Sequence, residues 1–219
     1  MGYYPIFLQL QDRAVLVVGG GREAEHKVTN LLPTGARLTV VHPTLTPQLA
    51  TWRDEGRIQH MARPYQRGMM QGFVFVMVAD DDRSRNAEIF NEGREAGILV
   101  NSADDVPNCD FILPAVIRKG VITLAASTEG ASPALARRLR EELDAYLTDD
   151  MPALADLLAE VRTDLRARKV SVDAETWQRA IDGPLRVLLA QRRYGQAKAR
   201  LLASLGVAAV FEAEATRAL

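Results

Sequence analysis

A chain of 219 residues, 47% of them hydrophobic, can hold one large domain or two small ones, and that apolar fraction excludes a disordered chain. Its 27 basic and 28 acidic residues leave a formal net charge of −1, so overall charge gives no footprint of nucleic-acid binding. The single cysteine, Cys109, excludes an internal disulfide and a cysteine-based metal cluster, and His26, His42 and His60 lack the spacing of metal ligands on one helix face.

No charged region followed by a long apolar stretch opens the chain, and apolar runs such as Phe73 to Ala79 are of strand length. A soluble, cytoplasmic protein with no membrane association is therefore expected. Tyr3 to Leu10 reads as an extended lead-in, with Pro5 disfavouring a central strand. Gln11-Asp12-Arg13 turns into Ala14-Val15-Leu16-Val17-Val18, a continuous β-branched run suited to a strand buried on both faces of a parallel sheet. Gly19, Gly20 and Gly21 follow, and Ala24, Val28, Leu31 and Leu32 then recur at helical spacing. Gly19, Gly21 and Ala24 form G-x-G-x-x-A between that strand and that helix, the Ala-ended dinucleotide fingerprint. Gly19 is expected to make the tight turn, Gly21 to let a pyrophosphate approach the backbone, and Ala24 to let helix and strand pack closely. Free N–H groups at the helix start would face the phosphates. Gly19, Gly20, Gly21, Arg22 and Glu23 are thus expected to bind the cofactor. A glycine-rich turn that binds nothing is the plain alternative, weakened by the strand–helix context.

Pro33-Thr34-Gly35 ends the first helix, and Arg37 to Val41 is a second strand. Its end is where an acid commonly meets the ribose of NAD, about 20 residues past the fingerprint. Val41-His42-Pro43 supplies no acid, and no arginine stands there for a 2′-phosphate. Val41, His42, Pro43 and Thr44 are the expected cofactor contacts, with the ribose held by backbone or by Thr44; otherwise the cofactor reading fails. Leu45 to Gly56 reads as a short helix with Leu49 and Trp52 inward, and Ile58 to Ala62 as a strand. Phe73 to Ala79 is a strong buried strand. Asp80-Asp81-Asp82 ends it and caps a helix from near Ser84, a commoner use of such a run than metal binding. Ile98 to Val100 is a further strand, and strands alternating with helices predict a Rossmann-type parallel sheet.

Asn101-Ser102-Ala103-Asp104-Asp105 is a polar segment beyond a strand's carboxyl end, where ligands bind in open α/β sheets. Phe111–Val116 and Val121–Ala126 read as an antiparallel hairpin joined through Arg118-Lys119-Gly120. After the loop Ser127-Thr128-Glu129-Gly130-Ala131, Ser132 and Pro133 are a good N-cap and first helical residue, and Leu135, Leu139, Leu143 and Tyr146 line one face. Beyond Met151 the pattern is helical: Leu154, Leu157, Leu158 and Val161 form a stripe, Trp177, Ile181 and Leu185 fill a small core, and Gly195 to Leu205 is a last helix. The expected fold class is α/β: a Rossmann-type dinucleotide-binding domain over 1–110, a hairpin plus helix for dimerisation and substrate over 111–149, and a helical C-terminal domain over 150–219. The apolar hairpin and the small helical tail predict a homodimer.

VVGGGREAEHK, NSADD and CDFILPAVIRKGVITLAASTEGASPALARRLREEL together resemble the precorrin-2 dehydrogenase module of siroheme synthase. The resemblance runs from near Pro5 to about Leu143, and more weakly through the helical tail. It implies oxidation of precorrin-2 to sirohydrochlorin with NAD⁺ taking the hydride, and an intertwined homodimer. Some relatives also insert Fe²⁺ as a substrate, and no residue here separates the two kinds of member. The resemblance implies a catalytic role for Asp104, and places Ser127 and Thr128 at the tetrapyrrole site. Asn101, Gly130 and Ser132 complete the expected substrate set, and no resident metal site is expected. The family's second strand also lacks the ribose acid. Bottom-up chemistry agrees: loss of a hydride must be matched by loss of a proton, which an aspartate at the sheet's carboxyl edge can accept. Arg118, Lys119, Arg137 and Arg138 are candidate partners for substrate carboxylates, although a solvated face is the commoner use of such charges. A non-catalytic NAD-sensing Rossmann regulatory module is the alternative, but it would have no use for Asn101–Asp104 or Ser127–Pro133.

Overall fold

The computed structural model describes residues 2–80, 82–103 and 105–215. By its internal contacts the chain divides into two compact units, 1–113 and 114–219. The hairpin is grouped with the C-terminal helices.

The first unit is built on a five-stranded sheet: β1 (Ala14–Val18), β2 (Arg37–Val41), β3 (Ile58–Met61), β4 (Phe75–Val78) and β5 (Leu99–Ser102). All neighbours are parallel, in the order β3-β2-β1-β4-β5. The order reverses at β1, so a ligand crevice is expected beyond the carboxyl ends of β1 and β4. The β-branched runs are buried on both faces, as their lack of alternation predicts. Val15, Val17, Val40, Phe75 and Met77 pack with Ala24, Val28 and Leu31 of α1 (Arg22–Leu31) and with Leu49 and Trp52 of α2 (Pro47–Asp54). Leu16, Val18, Val76, Val78 and Val100 pack with Ile89 of α3 (Arg83–Ala96) and with Met70. Asp82 caps α3 as expected, accepting from the N–H groups of Ser84 and Arg85.

β5 extends further than the pattern Ile98–Val100 suggests, because Asn101 and Ser102 pair with Met77 and Val78. Asn101 and Ser102 therefore belong to the strand rather than to a polar segment beyond it. The lead-in over residues 2–9 forms no strand, and Tyr4 and Phe7 are 88% and 75% exposed.

In the second unit β6 (Ala115–Lys119) and β7 (Ile122–Ala126) form the antiparallel hairpin. Its first strand is displaced toward the turn relative to Phe111–Val116. Arg118 and Lys119 pair with Thr123 and Ile122, and Gly120, at φ 56, opens a two-residue turn with Val121. α4 (Pro133–Tyr146) starts at a Ser132 cap, whose Oγ accepts from Leu135 N at 3.2 Å. α5 (Asp150–Ala167), α6 (Ala174–Ala180), α7 (Gly183–Ala190), α8 (Tyr194–Ser204) and α9 (Ala208–Ala215) complete the unit. Leu157, Val161, Leu165, Leu185, Leu189, Ala197 and Leu201 are their core. Ile181 was expected in that core but is exposed. It stands at the C-cap of α6 with ψ 74, which turns it out of the helix, and Ala180 is buried instead.

Candidate functional site

The three glycines do different work. Gly19 sits at φ +133, and a Cβ there would lie 2.3 Å from the carbonyl oxygen of Ala79. It therefore lets β1 and the end of β4 approach. A Cβ on Gly20 would lie 1.9 Å from the carbonyl oxygen of Thr44 and 2.5 Å from Nδ1 of His42, so Gly20 lets the β2–α2 loop close on the turn. A Cβ on Gly21 would meet nothing within 4 Å. Gly21 is also the N-cap of α1, without a side-chain cap, so the first N–H groups of that helix point outward uncovered. Open space over Gly21 and an uncapped helix start together make a cradle that fits a pyrophosphate. Ala24 is fully buried, as close packing of helix and strand requires. Arg22 and Glu23 begin α1, and Glu23 pairs with Lys27 at 2.9 Å.

The loop after β2 is stitched to this turn. His60 Nε2 donates to the carbonyl of His42 at 2.8 Å, and Nδ1 of His42 lies 2.6 Å from the carbonyl oxygen of Thr44. Thr46 N donates to Gly20 O at 3.0 Å, while the Thr46 hydroxyl donates to Glu25 Oε2 at 2.6 Å and accepts from Leu49 N at 3.2 Å. Val41 ends β2 buried, whereas Pro43 and Thr44 are exposed at the loop's rim. Sequence reasoning missed Glu25 and Thr46. A Thr before Pro47 is a legible cap signal, but its pairing with a residue 21 positions earlier is not.

Asp104 lies outside the described residues; its two neighbours are fixed. Ala103 N donates to Val78 O at 2.8 Å, and Asp105 is buried, accepting from Asn108 Nδ2 at 2.8 Å. Asn101 is 6% exposed, and its amide nitrogen donates to Phe111 O at 2.8 Å. Cys109 Sγ accepts from Ser102 N and donates to Ser102 O, both at 3.2 Å. Burial pushes the Cys109 thiol above its ordinary pKa, so it is a protonated hydrogen-bonding group rather than a nucleophile. Two buried polar atoms, Ser102 Oγ at the end of β5 and Asn86 Oδ1 in the first turn of α3, have no hydrogen-bond partner among the described residues.

The second unit holds the remaining expected site residues in a tight turn. Ser127 Oγ accepts from Glu129 N at 3.0 Å, which holds Glu129 at φ 53. The Thr128 hydroxyl donates to Ser132 O and accepts from Ser132 N, both at 3.1 Å, and Gly130 stands at φ 85. The structure thus gathers Ser127, Thr128, Gly130 and Ser132 into one preformed loop at the start of α4. Lys119 is used elsewhere: its ammonium donates to the carbonyls of Asp144 and Leu147 at 3.0 and 2.6 Å, closing the C-terminal end of α4. Arg138 is paired with Glu142 at 2.7 Å.

Two open concavities stand out among the described residues, one in each unit. That of ≈ 690 Å³ lies between the starts of α1 and α2, beside the glycine turn. The larger, of ≈ 810 Å³, surrounds Lys119, Asp144 and Asp150 where α4 passes into α5; in it Lys119 is spent on the end of α4 and Asp150 on Arg186. The smaller one has Arg22 of the fingerprint in its lining, with the glycines and Val41–Thr44 outside it, and is the functional candidate of the two. Among the described residues no helix is long and apolar enough to cross a membrane.

Residues 6–115 match a family model described as "Putative NAD(P)-binding", and residues 120–146 match one described as "Sirohaem biosynthesis protein central". Siroheme synthase 1 of Aeromonas salmonicida is 39% identical over 202 residues, which cover 91% of this chain and 42% of that protein. The siroheme synthase of Photorhabdus laumondii is 36% identical over 203 residues, covering 92% of this chain and 43% of its own length. The chain therefore spans less than half the length of these curated relatives. A solved precorrin-2 dehydrogenase is similar with a TM-score of 0.70 at 28% identity, covering 89% of this chain and 98% of its own.

Proposed function

The chain belongs to the siroheme synthase family of NAD(P)-binding proteins, and from that premise we propose that it oxidises precorrin-2 to sirohydrochlorin with NAD⁺ as hydride acceptor. One observation carries the reading: the uncapped start of α1 under open space at Gly21, placed where the strand order reverses. NAD⁺, when bound, accepts the hydride; the chain's own residues hold it and manage the proton. Gly19 and Gly20 shape the turn, Gly21, Arg22 and Glu23 meet the pyrophosphate, and Val41 to Thr44 meet the ribose.

Asp104 is assigned as the general base that takes the proton lost with the hydride. The fixed neighbours Ala103 and Asp105 support that role, since a base must be held within hydrogen-bond reach of its proton. Asn101, Ser127, Thr128, Gly130 and Ser132 are assigned to the tetrapyrrole. A homodimer is part of the proposal. It is supported by the apolar face of α4 and the hairpin turn, where Leu135 and Val121 are 50% and 71% exposed. The reaction is placed in the cytoplasm, where the free thiol of Cys109 stays reduced.

The assay follows sirohydrochlorin formation from precorrin-2 with NAD⁺ and no metal. The parent is expected to turn over, and Asp104→Ala to fold normally while losing about a hundredfold or more in rate. Parental turnover by Asp104→Ala would overturn the base assignment. Dinucleotide binding without any oxidation by the parent would favour the regulatory module instead. A second arm gives sirohydrochlorin Fe²⁺ or Co²⁺ without NAD⁺, and insertion no faster than the protein-free rate would remove chelatase activity from the reading.

A further inference from the structure

The acid that usually ends the second strand of such a sheet does two things. It accepts a hydrogen bond from the adenosine ribose, and it repels the extra phosphate of NADP⁺. Here β2 ends at Val41 and continues His42-Pro43-Thr44, so the strand supplies no carboxylate. A carboxylate on another element is bonded to the loop that follows β2. Glu25, in the first turn of α1, accepts the Thr46 hydroxyl at 2.6 Å, and Thr46 N is in turn bonded to Gly20 O at 3.0 Å. Glu25 is thereby tied to the post-β2 loop and, through it, to the glycine turn.

The open concavity of ≈ 690 Å³ at this junction is lined by Arg22, Glu25, His26, Thr46 and Gln48 among others, and Glu25 is the one carboxylate in its lining. Arg22 is the opposing charge. With both present the lining is balanced; without the charge of Glu25 it becomes net positive and suits a phosphate.

We propose that Glu25, presented from α1 and held by Thr46, takes over only the second of the strand-end acid's tasks, repelling the extra phosphate, and so sets the preference of this site for NAD⁺ over NADP⁺. The proposal rests on the cofactor reading above. A purely structural role is separable from it, because glutamine at this position still offers an oxygen to the Thr46 hydroxyl while removing the charge.

The experiment is titration calorimetry of the full chain with NAD⁺ and with NADP⁺, with thermal melts as the folding control. Glu25→Gln should bind NAD⁺ within about twofold of the parent and bind NADP⁺ about fivefold or more tightly. The gain should shrink as salt is raised, which a packing change would not do. Gln48→Glu, at an exposed position in the same lining, is the reciprocal variant and should weaken NADP⁺ further. If the parent binds NAD⁺ and neither variant changes the ratio of the two affinities, this proposal falls alone. If the parent binds neither dinucleotide, the cofactor reading falls and takes this proposal with it.

Discussion

Replacing Gly21 by aspartate should move stability and cofactor affinity in opposite directions. Gly21 is the N-cap of α1 at φ −88 and ψ −167, an extended conformation open to any residue, and no side chain caps the helix there. A Cβ at this position meets nothing within 4 Å, so the free protein accommodates the new side chain. Aspartate is among the best N-cap residues, and its gain over glycine is a few tenths to about 1 kcal/mol, with help from the helix dipole. The melting temperature of the free protein should hold or rise by about 1–3 °C. The same carboxylate occupies the space assigned to the pyrophosphate. Two charges of like sign at about 4–5 Å repel by about 3–4 kcal/mol at an effective dielectric of about 20. Discounted for solvent and salt at an open site, about 2–3 kcal/mol remains, a loss of about 30- to 150-fold in NAD⁺ affinity. Calorimetry with NAD⁺ and a melt of the free protein test both halves. Gly20→Ala is the contrasting control, because its Cβ would sit 1.9 Å from Thr44 O and so disturb the fold itself. A folded Gly21→Asp that binds NAD⁺ like the parent would refute the site. A marked drop in its melting temperature would refute the argument from open space.

The helical unit should lose stability in acid. Asp150 is held below its ordinary pKa chiefly by the hydrogen bond from Arg186, Glu160 by Lys198 and Tyr194, and Asp182 by Arg200. Each folded value lies below the unfolded one, so the stabilisation is complete above about pH 4 and is lost as pH falls through the folded values. Melts between pH 7 and pH 3 should show this decline, and Asp150→Asn should flatten it while costing about 1–2 kcal/mol at pH 7; an unchanged pH profile in that variant would refute the assignment. For the assembly, sedimentation at micromolar concentration is expected to give a dimer. Leu135→Glu and Val121→Glu, both at exposed apolar positions, should shift it to monomer without loss of helix content; a parent that sediments only as a monomer would refute the dimer.

Where hydrophobic period and cap chemistry agree, sequence and structure coincide. Ala14–Val18 and Arg37–Val41 are strands over the expected residues, because continuous β-branched runs admit no other buried use at that length. The helix caps at Asp82 and Ser132 are where short polar side chains precede an apolar-periodic run. The differences share a cause: a residue's role is set by backbone geometry that its place in the hydrophobic pattern does not carry. The first hairpin strand is displaced because register depends on the turn, and Gly120 in the left-handed region places the turn at Gly120-Val121, two residues beyond Arg118-Lys119. Ile181 faces solvent because the backbone leaves the helix there.

Asn101 shows how the same limit touches the site. Read along the chain, an amide beyond a strand is a free hydrogen-bonding group, and a substrate contact is the natural assignment. In the fold it lies in β5, bridged to Cys109, with its amide nitrogen given to the carbonyl of Phe111. Cys109 in turn closes on both backbone groups of Ser102. These bonds join the two ends of the segment that contains Asp104, and a loop closed at its base has fewer conformations to lose when a substrate arrives. The polar character of Asn101 at this edge therefore has a sufficient explanation in holding the frame, and any contribution to the tetrapyrrole acts from a side chain whose donor is already engaged. Ser127 and Thr128 follow the same pattern in the second unit, their hydroxyls folding their own turn. In both units the polar residues expected at the substrate first shape the backbone that would meet it, which is how a site obtains rigid geometry from loops.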